Sequence, residues 1–201
     1  NKYPQQTLGK NNKHTSPSNF YIYEKIKIKP RESDLLEESA NRFRLRYIKD
    51  VILSMNLPKN SKILDIGGNN FVEFCHNNNF EYTMIDLKKP QKHGTGGYFG
   101  GGLTYNGRDL PFTNDSFDVV IISFVLHHAS SNTIHLLKQI KNISKQYVII
   151  CEDLCSIDQP IGWHHRCFYH QENGVFRSDE EWKFLFNCFG LHVIDELNIR
   201  C

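Results

Sequence analysis

The 201-residue chain lacks any apolar run long enough to cross a bilayer, which takes about 20 consecutive apolar residues. It also has little net charge. Its 24 Lys and Arg face 22 Asp and Glu, +2 overall, so composition implies no general affinity for polyanions. Its six cysteines, Cys75, Cys151, Cys155, Cys167, Cys188 and Cys201, are scattered. That spacing excludes a disulfide-stapled mini-domain and points to a reduced, cytoplasmic setting. Internal repeats are absent. Cys151, Cys155, His164, His165, Cys167 and His170 form only a loose set without standard zinc intervals, so no metal site is expected. What is present is an ordinary balance, 39% apolar and 23% charged residues, in a length that suits one domain with a real core.

Residues 1–19 are polar and broken by Pro4, Gly9 and Pro17, the composition of a tail. "FYIYEKIKIK" (20–29) alternates apolar and charged residues, as a strand with one wet face does at a sheet edge. Residues 1–30 therefore read as an arm carrying an edge strand. Leu36, Ala40, Phe43, Tyr47 and Val51 then recur at helical spacing up to a stop near Pro58, with Arg42, Arg44 and Arg46 expected on the solvated face.

From there strands and helices alternate. The apolar runs "KILDI" (62–66), "YTMID" (82–86), the strand within "SFDVVIISFVLHH" (116–128), "YVIICED" (147–153) and "LHVIDEL" (191–197) read as strands. "FVEFCHNN" (71–78), "NTIHLLKQIKN" (132–142) and "SDEEWKFLFNCFG" (178–190) read as helices, the last with Ser178 and Glu181 at capping-box spacing and Gly190 as its stop. Strands apolar on both faces, alternating with helices, predict an α/β, Rossmann-like, doubly wound and mostly parallel sheet covered on both sides. The glycine run 93–102 reads as a surface loop.

Ligands of such sheets bind beyond the carboxyl ends of the strands, where the winding reverses. The first of these strands ends at Asp65 in "LDIGGNNF", a glycine turn, and the next ends at Asp86. An acid there can accept two hydrogen bonds from vicinal ribose hydroxyls. Further on, "NGRDLPFTNDSFDVVIISFVLHHA" (106–129) closely resembles the signature of class I S-adenosylmethionine-dependent methyltransferases, in the group that includes small-molecule enzymes. The matching residues are Asn106, Leu110, Pro111, Phe112, Phe117, Asp118, Val120, Leu126, His127 and His128. The resemblance spans about residues 45–197, within a methyltransferase domain over 31–201, and leaves the arm unexplained.

The resemblance implies S-adenosylmethionine as cofactor. It places Asp65 and Gly67 beside the methionine part, Asp86 on the ribose, Asn106 on the adenine edge with Asp109 and Leu110 nearby, and Ser123 and Phe124 along the methyl-donor pocket. The family turn runs Gly-x-Gly-x-Gly, whereas this chain reads Gly67, Asn69, Phe71, with Gly68 in between. Asn69 can adopt a left-handed backbone. Phe71 must point into the core or displace the following helix, and Gly68 can take up part of the turn. His127 and His128 are the candidate bases. "GWHHRCFYHQENG" (162–174) offers Trp163, His164, His165, Arg166, Tyr169 and His170 to an acceptor. Glu152 and Asp153 read as a solvated strand end, with binding of a cation or a substrate hydroxyl the alternative.

The leading expectation is O-methylation of a small molecule or a sugar or glycan hydroxyl. An RNA or protein acceptor, and a catalytically inactive partner subunit with a methyltransferase fold, are the alternatives. No membrane association is expected. Because the family's sheet closes with an antiparallel strand that the sequence does not show before Cys201, the 20–29 strand is expected either to join the sheet or to pair with another chain.

Overall fold

The computed structural model describes residues 20–21, 37–68, 71–87, 102–152, 154 and 175–196. Asn69, most of the arm and the whole of Trp163–His170 lie outside them. Seven strands form one sheet: β1 (Phe20–Tyr21), β2 (Lys62–Ile66), β3 (Glu81–Asp86), β4 (Leu103–Thr104), β5 (Phe117–Ser123), β6 (Ser144–Cys151) and β7 (His192–Val193). Among the described residues four α-helices accompany them: α1 (Glu37–Ser54), α2 (Val72–Asn77), α3 (Thr133–Ile143) and α4 (Asp179–Cys188). The spatial order is β4-β3-β2-β5-β6-β1-β7, and every pairing among the described residues is parallel. This is the expected Rossmann-like architecture, with no antiparallel strand among those residues.

Residue alternation along β5 explains why both faces are covered. Val119 and Ile121 point to the side of α1 and α2, in a cluster with Tyr47, Ile48, Val51, Ile52, Ile63, Phe71 and Cys75. Val120 and Ile122 point to α3 and α4, against Leu136, Leu137, Ile140, Trp182 and Phe186. All four β5 side chains are wholly buried, and each such burial contributes about 1.5–3 kcal/mol. The cap of α4 forms as its sequence predicts. Ser178 Oγ accepts from the Glu181 amide at 3.2 Å while the Ser178 amide donates to Glu181 Oε2 at 2.7 Å.

Two expectations change. Phe20 and Tyr21 do join the sheet, but between β6 and β7 rather than on an edge; residues 22–29 lie outside the described set. The last strand is described as the short pair His192–Val193, and Leu103–Thr104 add an unanticipated short strand beside β3.

Several motif residues turn out to hold the scaffold. Asp118 accepts from the Lys62 amide at 2.7 Å and pairs with Lys145 at 3.1 Å, joining the starts of β2, β5 and β6. Phe112 packs edge-on against Phe117 with ring centroids 4.9 Å apart.

Candidate active site

The winding reverses between β2 and β5, which run side by side from the same edge. Their carboxyl ends, with those of β3 and β6, carry Asp65 to Gly68, Asp86, Ser123 to His128 and Glu152. A hollow of about 380 Å³ at the opposite edge is walled by residues including Lys62, Glu81, Thr113 and Lys145. Its charges answer one another, Lys62 to Glu81 at 3.9 Å and Lys145 to Asp118. We therefore place the site at the carboxyl edge, where the topology expects it.

After β2 the backbone turns through Gly67 (φ +89°) and Gly68 (φ +67°). Both are left-handed positions that suit glycine. A Cβ on Gly67 would lie 2.4 Å from Val125 Cγ2, and one on Gly68 would lie 3.8 Å from Asp86 Oδ2. The turn thus brings bare backbone against the end of β3 and the turn after β5. Phe71 does not fill this space. Its ring is wholly buried in the α1-side cluster and meets Phe74 edge-on at 6.4 Å.

Asp65, expected beside the methionine part, is wholly buried. It accepts a hydrogen bond from the Tyr82 hydroxyl at 2.7 Å, and that oxygen accepts in turn from the Phe71 amide at 3.3 Å. Burial, and then the Asp65 charge, push the Tyr82 phenol far above its ordinary range and the Cys75 thiol up to about 12.

Asp86 Oδ1 accepts from the Leu87 amide at 2.6 Å, which leaves Oδ2 turned toward Gly68. Tyr105 is half-buried beside it, its phenol pushed up by burial and by the Asp86 charge. Asn106 shapes the next loop. Its Oδ1 accepts from the amides of Arg108 and Asp109 at 2.8 and 2.7 Å, and its amide donates to Asp109 Oδ2 at 3.3 Å. α3 clamps the loop, with His135 2.9 Å from Asp109 Oδ1 and Gln139 bonding both the Leu110 amide and the Arg108 carbonyl. The His135 contact, with the Asn106 bond second, holds the Asp109 carboxyl below the usual range. Leu110 is buried in the α3-side core.

The turn after β5 is the most constrained part of the site. Phe124 has φ +55°, a conformation that costs a side-chain-bearing residue about 1–3 kcal/mol and persists only where neighbours impose it. They do. The Phe124 amide donates to the Cys151 carbonyl at 2.8 Å. Glu152 Oε1 accepts from the amides of Val125 and Leu126 at 3.0 and 2.7 Å, and Oε2 meets His127 Nδ1 at 2.6 Å.

Glu152 is therefore no solvated strand end; its side chain is only 3% exposed. Nor is Arg44 confined to a solvated face, since its guanidinium lies 4.4 Å over the Phe124 ring. His127 is buried and stacked on Phe176 at 4.9 Å, whereas His128, its ring 3.9 Å from that of His127, is exposed. The two histidines are thus unequal. Ser123 is buried, and its hydroxyl has no hydrogen-bond partner among the described residues.

Sequence reasoning passed over Tyr82 and Gln139 and read Glu152 as solvated. Of the three, only Glu152 left a signal: an acid at the end of a wholly apolar strand is either solvated or deliberately partnered.

These residues fit an adenosine-bearing cofactor. The glycine pair puts bare backbone at the carboxyl edge against Val125 and Met84, Asp86 offers a carboxylate oxygen beside Gly68, and the buried Ser123 hydroxyl has no partner among the described residues. Residues 40–196 match the family described as methyltransferase domain. No curated protein matches the chain. Among solved structures it is similar to a chain from the complex between the Haloferax volcanii Trm112 methyltransferase activator and its methyltransferase-assigned partner, with TM-score 0.56, 15% identity, and coverage of 86% of this chain and 84% of that one. It is also similar to a protein of Anabaena variabilis assigned as a methyltransferase of an antibiotic biosynthesis pathway, with TM-score 0.51, 20% identity, and coverage of 73% and 61%. At these identities the structural likenesses establish the fold. The match over residues 40–196 decides the family: the chain belongs to the methyltransferase domain family and is a class I S-adenosylmethionine-dependent methyltransferase.

Proposed function

We propose that the chain methylates a hydroxyl group of a small molecule, sugar or glycan. The observation that carries this reading is the asymmetry of the histidine pair. His127 is buried and held by Glu152, while His128 stands exposed beside it on the turn that follows Ser123 and Phe124. An amine acceptor needs no base once neutral, but a hydroxyl must lose its proton, and a solvent-reaching imidazole is suited to take it near neutral pH.

In this reading Asp65, Gly67, Gly68, Asn69, Asp86, Asn106, Asp109, Leu110, Ser123 and Phe124 form the cofactor side. The Asp86 carboxylate accepts from ribose hydroxyls, and Asn106 with its loop meets the adenine edge. S-adenosylmethionine supplies, when bound, an electrophilic methyl group on a sulfonium. Trp163, His164, His165, Arg166, Tyr169 and His170 form the acceptor side. The protein's own work is to hold the two reactants in line, keep water out and accept one proton at His128.

The test is methyl transfer from labelled S-adenosylmethionine to panels of hydroxyl compounds, amines, RNA and protein. Label on a hydroxyl is expected, with His128→Ala lowering turnover by about 10²–10⁴-fold at neutral pH and leaving cofactor affinity in place. Label on RNA, protein or an amine would refute the acceptor class. A partner-dependent reading is favoured by one observation, the neighbour that comes from a complex with a methyltransferase activator. Turnover by the purified chain alone decides against it.

A further inference from the structure

The family's third turn glycine is absent, and the structure shows what stands in its place. Phe71 sends its ring to the α1 side of the sheet and leaves only its backbone at the turn, as the residue preceding α2. No side chain caps α2 at this position. The Phe71 amide donates instead to the Tyr82 hydroxyl at 3.3 Å, and that hydroxyl donates to Asp65 Oδ2 at 2.7 Å.

A phenol has one proton to give and lone pairs to receive, so this oxygen joins the end of β2, β3 and the far side of the glycine turn through one atom. Tyr82 sits on β3 opposite Ile63, two residues before Asp65 on β2. Asp65 is wholly buried on the same side, near Cys75 of α2.

We propose that Tyr82 is the positioning residue of the cofactor turn: with Asp65 as its anchor it fixes the Phe71 end of the turn, doing by a hydrogen-bond relay what close helix–strand contact does where a third glycine is present. Asp65 then acts on the cofactor through Tyr82; the Gly67 amide is held by the Ile85 carbonyl at 3.0 Å, which leaves the backbone of Gly68 to the methionine end. The phenol keeps its proton at any physiological pH, because burial and the Asp65 charge oppose its ionisation, so the relay does not switch off. This inference rests on S-adenosylmethionine as cofactor and is independent of the acceptor.

The test is calorimetric binding of S-adenosylhomocysteine and, separately, of adenosine, whose ribose and base fall to Asp86 and Asn106 in the proposed site. Tyr82→Phe is expected to weaken S-adenosylhomocysteine about tenfold while changing adenosine less than about threefold. A merely destabilised fold would move both together. Asp65→Asn, whose side-chain oxygen still accepts from Tyr82, is expected to lose less than Tyr82→Phe. Should Tyr82→Phe fail to fold, amide hydrogen exchange on the wild-type chain replaces it, and the Phe71 amide is expected to be protected without ligand and more so with S-adenosylhomocysteine. Equal losses for both ligands, a larger loss for Asp65→Asn, or an unprotected Phe71 amide overturns the proposal. A wild-type chain that binds neither ligand overturns it together with the cofactor assignment.

Discussion

Two turns stand side by side at the carboxyl edge of the sheet, one after β2 and one after β5, and they reach left-handed backbone by opposite means. The first uses Gly67 and Gly68, for which φ +89° and +67° are nearly free. The Gly67 amide donates to the Ile85 carbonyl at 3.0 Å, and one phenol secures the Phe71 end. The second imposes φ +55° on Phe124 and holds it with a buried carboxylate that takes two backbone amides and an imidazole. The first turn is therefore inexpensive and adaptable, as suits a surface that closes on a ligand's backbone-read portion. The second is strained and held from several sides, as suits the proposed role of Phe124 and His128 beside a reacting atom.

The largest expected effect is at the second turn. Glu152→Ala removes the buried carboxylate that the Val125 and Leu126 amides and His127 Nδ1 meet, and is expected to lower stability by about 3–5 kcal/mol, read as a shift in denaturant midpoint at constant slope. The comparison breaks if this loss does not exceed that of Tyr82→Phe at the other turn.

A smaller effect belongs to the first turn and has a sign set by Cys75. Unfolded, its thiol releases its proton near 9.0; folded, it holds it to about 12 because burial, and then Asp65, disfavour the thiolate. The native state therefore binds more protons across that window. Stability is at full value below pH 9 and falls as pH rises through it, by about 2 kcal/mol near pH 10.5. Cys75→Ala should flatten this alkaline decline in urea titrations run from pH 8 to 10.5, and an unchanged slope would remove Cys75 from the account.

The smallest effect sharpens the contrast. Phe124→Gly relieves a left-handed residue at a gain of about 1 kcal/mol and forfeits the Arg44 stacking, worth about 0.5–1 kcal/mol. Net stability should stay within about 1 kcal/mol of wild type in thermal or urea unfolding. A loss well beyond that would show that the ring, not the backbone, is what the second turn was built to hold.

Much of the scaffold was legible before any coordinate. "KILDI" appears as β2 at its expected bounds, and the capping box of Ser178 and Glu181 forms as spaced. These features depend on near neighbours in sequence and on apolar periodicity, which local physics governs. The proposed site could be written as a set of positions, Gly67, Asp86, Asn106, Ser123 and His128, because a motif orders them along the chain. Their states were not. Whether Asp65 faces a ligand or Tyr82, and whether Glu152 faces water or His127, depends on partners 17 and 25 residues away in sequence. β1 shows the same limit. Its alternation suggested an edge, yet Phe20 and Tyr21 pair on both sides, since alternation records which faces are apolar and not which neighbours the strand acquires.

By itself, then, the amino-acid order determined the strand–helix alternation, the glycine turn after Asp65 and the methyltransferase signature from Asn106 to His128, since each is written in spacing and residue type. Only the tertiary structure decided that Phe71 leaves the turn for the core, that Tyr82 and Glu152 each secure one rim of the site, and that of two adjacent histidines one is buried and one open. The physical reason is that a polar group withdrawn from water must find its partner wherever packing brings one, and packing joins residues that the chain holds far apart.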